Sequence, residues 1–144
     1  MTSGITILDT NVVSEPMRPL PSPAVLAWWS QQQPGGLFIT TVTLAEILYG
    51  IELLPHGKRR AALLAGVERM FGKVLTGRIL PFDEDAARAF PEIALRRRSQ
   101  GRPIADLDAQ IAAIAHSRGA LLATRNAADF EGCGIRLVNP WTEK

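Results

Sequence analysis

The chain has a single cysteine, Cys133, among its 144 residues. That excludes an internal disulfide and any metal centre built on several thiolates, and it fits a reducing compartment such as the cytoplasm. Long apolar runs are missing too. Nothing approaches the ~18–20 consecutive apolar residues that a membrane span needs. The N-terminus shows no basic region followed by an apolar stretch, so neither a membrane anchor nor a signal peptide is expected. Charge of one sign is scarce: 16 Lys and Arg stand against 14 Asp and Glu, leaving +2. The pI near 9.1 is by itself weak support for an anionic partner. There are two histidines, His56 and His116, and neither has a partner at ligand spacing, which leaves both structural or solvated. No repeat or low-complexity tract interrupts the chain.

What remains is ordinary globular material, 47 % hydrophobic and 21 % charged, and it reads as one domain over residues 1–144. Short apolar runs at 5–9, LFIT (37–40), RILPF (78–82), ALLAT (120–124) and IRLVN (135–139) predict five strands. The first reads as buried on both faces rather than alternating, as in a parallel sheet covered on both sides. Helices are predicted between them. Ser22 caps one that begins at Pro23 and runs through Gln32. Thr41 or Thr43 caps a second that closes near Pro55. A third spans 58–75. Asp83 caps a fourth that reaches Gln100, with a kink at Pro91, and the fifth spans Ile104–Arg118. PMRPLPSP (16–23) is a loop, because each Pro fixes φ and withholds a donor. This alternation predicts an α/β fold, a three-layer α/β/α sandwich with a mainly parallel five-stranded sheet.

Ligands of such sheets bind beyond the carboxyl ends of the strands. Asp9 in GITILDTNVVSEP sits at one such end, an odd place for a charge between two apolar stretches. Thr40 and Thr41 lie at another, and Thr124, Arg125 and Asn126 at a third. An Asx-type cap would explain Asp9 alone. A site needs further acids arriving at the same edge. Glu46 lies in TLAEILYGIELL, off the Leu44–Ile47–Leu48–Ile51 stripe, yet on a helix apolar around most of its circumference, where a charge is expensive unless paired or metal-bound. In IADLDAQIAAIA the stripe is Ile104, Leu107, Ile111, Ile114 and Ala115. At ~100° per residue Asp108 falls on its edge and Asp106 nearly opposite. Asp108 is therefore the candidate, and Asp106 a solvated partner of the helix dipole. Asn126 and Asp129 in LLATRNAADF follow the fourth strand and either reach the site or shape its turn.

Carboxylates gathered in one place raise each other's pKa values, and a divalent cation reverses that penalty. With hard oxygen ligands and no Cys or His cluster, the expected ion is Mg²⁺, or Mn²⁺ in its place. Such an ion polarises a phosphoryl oxygen and acidifies a water, the chemistry of phosphodiester hydrolysis. Other features divide between two readings. Arg96, Arg97, Arg98 and Arg102, with Lys58, Arg59 and Arg60, either bind phosphates or form solvated helix ends. Trp28 and Trp29 share a helical face with Val25 and read as packing. Arg125 lies beside the site and is a candidate substrate contact.

LDTNVVSE, TVTLAEILYGIELL, RILPFDEDAA, DAQIAAIA, LATRNAADF and the closing NPW together resemble a VapC-type toxin of the PIN-domain nucleases, on its FitB-like branch, over nearly the whole chain. The resemblance implies a parallel sheet between helices, Mg²⁺-dependent endoribonuclease activity and a cognate antitoxin encoded beside the toxin. It also implies a homodimer, and operator DNA bound only through the antitoxin. Carried over by position, its acidic residues fall on Asp9, Glu46 and Asp108. Asp9 and Asp108 are then direct metal ligands, and Glu46 holds a water or a second ion. The fourth acidic position falls on Asn126, a neutral departure that puts a second metal in doubt unless Asp129 replaces it. Thr10, Asn11 and Thr41 would orient the carboxylates. Two alternatives stay open. One is an inactive scaffold that serves as antitoxin-binding co-repressor of its operon. The other is an aspartyl-phosphate phosphotransferase using Asp9, which lacks the second Asp two residues on, where Asn11 stands.

Overall fold

The computed structural model describes residues 4–142. Five strands form one parallel sheet: β1 (Thr6–Leu8), β2 (Leu37–Thr40), β3 (Ile79–Leu80), β4 (Leu121–Ala123) and β5 (Arg136–Val138). Their order is β3-β2-β1-β4-β5, so β1 lies at the centre and the first residue beyond it emerges in the middle of the sheet's carboxyl edge. The helices are α1 (Thr10–Ser14), α2 (Pro23–Ser30), α3 (Thr41–Glu52), α4 (Lys58–Arg69), α5 (Glu84–Ser99) and α6 (Asp106–Arg118). Among the described residues, none is long and apolar enough to cross a membrane.

Successive strand residues point to opposite faces, and the two cores follow from that. Ile7 and Leu122 join Ala86, Ile93, Ile111 and Phe130 under α5 and α6. Leu8 and Ala123 join Val12, Trp28, Ile39 and Ile47 on the other face. The three layers are those the alternating elements predict. Trp28 is core and Trp29 packs against it, as their shared face suggests.

Several boundaries differ, each for a local reason. The strands are shorter than their apolar runs, because the flanking residues already turn into caps. Thr40, not Thr41 or Thr43, caps α3: its backbone is still extended and its Oγ1 accepts from the Thr43 N–H at 3.0 Å. Helix α4 stops at Arg69 and continues as one wider turn over Met70–Val74. Asp83 caps α5 as expected, and the helix continues through Pro91. Helix α6 begins at Asp106 and ends at Gly119, whose φ of 61° is the left-handed closure that glycine adopts freely.

Two periodicity arguments need correcting. Leu107 is 48 % exposed; the face of α6 that packs inward is Ala109 and Ile111–Ala115, where alanines let α5 and the sheet approach closely. Helix α3 is not enclosed on several sides either. Ile47 and Ile51 are buried, but Leu48 and Tyr49 are exposed.

Candidate active site

The register sets the site's first contact. Leu8 pairs with Ala123, so the next residues, Asp9 and Thr124, leave the sheet side by side. The Asp9 N–H donates to the Ala123 carbonyl at 2.9 Å. Asp9 is only 7 % exposed, and both its carboxylate oxygens are engaged. One accepts from the Thr10 N–H at 2.9 Å and the other from the Thr124 hydroxyl at 2.7 Å. Asp9 is thus the cap of α1 as well as a candidate site residue. Burial pushes its pKa up, the Thr124 and Thr10 hydrogen bonds oppose that, and nearby Asp129 adds to the rise.

Thr10 ties the second acid in. Its hydroxyl donates to Glu46 Oε1 at 3.2 Å while its N–H holds Asp9. One residue therefore sets the spacing of two carboxylates that lie 37 positions apart in the chain (9 and 46). Glu46 is half-buried; desolvation raises its pKa, the Thr10 bond lowers it, and Asp9 raises it.

Asp108 completes the group from the first turn of α6. Its pKa is pushed up to about 6 by desolvation first, then by the charges of Asp9, Asp129 and Glu46, with Arg97 pulling the other way. Asp106, at the first position of α6, is exposed, matching the solvated reading of that acid. Asp129 comes from a short 3₁₀ turn, Ala127–Phe130, and acts on both Asp9 and Asp108 through its charge. Asn126 stands at the start of that turn. It is exposed, and its N–H donates to the Thr124 hydroxyl at 3.0 Å. Of the two residues after β4, Asp129 is the one electrostatically coupled to the acids.

The other assigned positions behave differently. Asn11 Oδ1 accepts from the Arg125 N–H at 3.3 Å and holds no carboxylate. The Thr41 hydroxyl accepts from the Phe82 N–H at 3.4 Å. Of the three residues expected to orient carboxylates, only Thr10 hydrogen-bonds to one among the described residues. The exposed Arg125 guanidinium lies over the Trp141 ring, 4.8 Å from its centroid.

Sequence reasoning did not assign a role to Thr124, which holds Asp9 directly. The signal was available: a Thr at a strand end, one residue past the register partner of Leu8. It also left Arg97 among solvated or phosphate-binding arginines, whereas Arg97 is buried. Its Nε donates to the Arg102 carbonyl at 2.7 Å, and its Nη1 to the Asp129 and Glu131 carbonyls at 2.5 and 3.2 Å. A helix wheel carries no sign of this, because the partners arrive from a later loop. Arg96 pairs with Glu92, and Arg102 with Glu131.

The donor set is all carboxylate and hydroxyl oxygen, which suits a hard divalent cation. Burial first, and repulsion from neighbouring acids second, raises the pKa values of Asp9, Glu46 and Asp108, and a bound cation would offset both. Among the described residues no three Asp, Glu, His or Cys side chains gather closely enough to hold an ion. The acids are electrostatically coupled but stand apart. Beside them runs a groove of about 860 Å³ lined by Thr10, Glu46, Met17, Arg18, Arg59 and Leu63.

Comparison with known proteins bears directly on this arrangement. The PIN domain family matches residues 6–131. The chain is 38 % identical over 135 residues to the VapC ribonuclease Y4jK of Sinorhizobium fredii, covering 94 % of this chain and 96 % of that protein. It is 36 % identical over 135 residues to Toxin FitB of Neisseria gonorrhoeae, with 94 % and 97 % covered. The solved structure of FitAB bound to an IR36 DNA fragment superposes with a TM-score of 0.88 at 36 % identity, covering 97 % of this chain and 98 % of that one.

Proposed function

The chain belongs to the PIN-domain family, among its VapC-type toxins, and from that premise we propose that it is a Mg²⁺-dependent endoribonuclease held in check by a cognate antitoxin. The observation that carries this reading is Asp9 at the carboxyl edge of a parallel sheet, tied through Thr10 to Glu46 and coupled by charge to Asp108 and Asp129.

Asp9 and Asp108 would hold the ion, with Glu46 beside them. A divalent cation supplies polarisation of a phosphoryl oxygen and eases the loss of a proton from a water. The chain's own residues do the rest. Thr124 and Thr10 hold the Asp9 carboxylate in one orientation, so that little freedom is lost when substrate arrives. Thr10 also keeps Glu46 at a set distance from Asp9. A bound cation would favour the ionised form of Asp108, whose pKa burial and the neighbouring acids raise to about 6. Mn²⁺ would serve in place of Mg²⁺.

In this reading the antitoxin is a small DNA-binding protein and operator DNA is reached only through it. The toxin itself is a cytoplasmic homodimer. Exposed Tyr49, Leu53 and Leu107 support a surface that meets another protein.

The test uses purified, antitoxin-free protein with bulk tRNA. Cleavage is expected with Mg²⁺ or Mn²⁺, and its loss with Asp9→Asn or Asp108→Asn. Protein that binds its antitoxin yet cuts no RNA with either metal refutes the catalytic reading. Two observations favour the alternative of an inactive co-repressor scaffold: Asn126 is neutral, and among the described residues the acids are not drawn to one point. Calorimetry with Mg²⁺ separates the two, since the scaffold binds no ion.

A further inference from the structure

Four negative side chains make a poor landing place for a polyanion. A cation at the rim is the physical requirement; Arg18 and Arg59 line the groove beside Glu46, and Arg18 is paired with Glu15. Arg97 is buried and its donors are committed to carbonyls. Arg125 is different in each respect. It is exposed, it forms no ion pair within bonding distance among the described residues, and the carboxylate its charge acts on is Glu15. In the chain it directly follows Thr124, whose hydroxyl holds Asp9.

Arg125 is also mounted with unusual care for a surface side chain. Its N–H donates to Asn11 Oδ1 at 3.3 Å. Its carbonyl accepts from Asn139 Nδ2 at 3.3 Å. The Oδ1 of that same Asn139 accepts from the Trp141 N–H at 2.9 Å. The Trp141 ring then lies under the Arg125 guanidinium, 4.8 Å from centroid to carbon. The contacts close a loop: Arg125 backbone to Asn139, Asn139 to Trp141, and Trp141 back to the Arg125 side chain. The closing NPW segment and Asn11, neither of which touches a carboxylate, both acquire a role here. A guanidinium stacked on a ring has lost most of its rotamer freedom before any ligand arrives, while its edge donors remain available.

We propose that Arg125, held by Trp141 and Asn139, is a preset contact for an RNA phosphate next to the scissile one, and that the NPW turn exists to aim it. The proposal rests on the endoribonuclease reading and deepens it. Arg125 touches substrate, whereas Trp141 and Asn139 are positioning residues. The planar fork of Arg suits phosphate oxygens in pairs, and the stack leaves the opposite guanidinium face to a base.

The experiment measures Mg²⁺-dependent cleavage of bulk tRNA by wild type, Arg125→Ala, Arg125→Lys, Trp141→Ala and Trp141→Phe, across a range of KCl concentrations, with thermal melting alongside. Arg125→Ala is expected to raise KM about 10-fold while changing kcat less than about 2-fold, and to reduce the salt slope by about 1. Arg125→Lys should recover part of the KM and most of the slope. Trp141→Phe should behave nearly as wild type, and Trp141→Ala should show the KM defect of a cation that is present but no longer aimed. Unchanged KM and slope in Arg125→Ala overturn the proposal. So does a KM unchanged in Trp141→Ala while its melting temperature falls, which would make the stack purely structural. If wild type itself cuts no tRNA with Mg²⁺ or Mn²⁺, the endoribonuclease reading fails and this proposal with it, an outcome distinct from an active wild type with an indifferent Arg125→Ala.

Discussion

Replacing Asp108 by Asn should abolish cleavage and at the same time stabilise the metal-free protein. The Asp108 carboxyl is raised from 3.8 to about 6 by desolvation and by Asp9, Asp129 and Glu46. The folded protein thus binds the Asp108 proton more tightly than the unfolded chain does. Stability from this group is complete below about pH 3.8 and is lost as pH rises towards 6, after which the penalty is constant. At about 1.4 kcal/mol per pKa unit the full penalty is about 3 kcal/mol. Water reaches the half-buried carboxylate and screens part of that, so about 1–1.5 kcal/mol is the working figure. Asn carries no charge and escapes it. For a chain of this size the gain corresponds to a melting temperature about 4 °C higher. The assay is thermal unfolding in EDTA at pH 7.5 and pH 5. The variant's advantage should be largest at pH 7.5 and fall by about half at pH 5, where wild-type Asp108 is mostly protonated. Millimolar Mg²⁺ should then raise wild type but not the variant, by mass action on the folded state. A variant less stable than wild type in EDTA at pH 7.5, or an advantage indifferent to pH, would refute the reasoning.

Thr124→Val keeps shape and removes the hydroxyl that donates to Asp9 at 2.7 Å; Mg²⁺ affinity by calorimetry should fall about 10-fold, with about 1–2 kcal/mol lost in urea unfolding. Arg97→Met leaves the Arg102, Asp129 and Glu131 carbonyls without their donor, so unfolding should cost about 3 kcal/mol less, whereas a phosphate-binding role alone would leave stability unchanged. Asn126→Asp adds a carboxylate on the residue whose N–H bonds the Thr124 hydroxyl: Mn²⁺ binding should tighten by several-fold, on the order of 1 kcal/mol, and the EDTA-treated protein should melt lower. Equal affinities in calorimetry would show that position 126 does not face the ion.

The elements were legible because each carries its own local signal. LFIT is a strand in both readings, and Ser22 and Asp83 cap their helices as the sequence suggests. Asp108 was separable from Asp106 by helix geometry alone. The same wheel misjudged Leu107, because an apolar stripe records what a helix is able to bury and not what its neighbours cover. Arg97 misled for the complementary reason. Among four basic residues in one stretch it looks solvated, and only the later loop, arriving with free carbonyls, makes it structural.

The sequence by itself determined the order of strands and helices, the acids at or near their ends and the scarcity of metal-binding thiols and imidazoles. Those are properties of composition and short-range pattern, and they point to an oxygen-ligand site at a parallel sheet's edge. The tertiary structure decided which polar residues actually meet. Parallel pairing of β1 with β4 sets Asp9 against Thr124 across 115 positions, and Thr10 reaches Glu46 across 36. Register and crossover bring those pairs together, and neither is written in the local spacing of any one segment. The contacts that hold the acids, and the mount that carries Arg125, therefore exist only once the sheet is assembled.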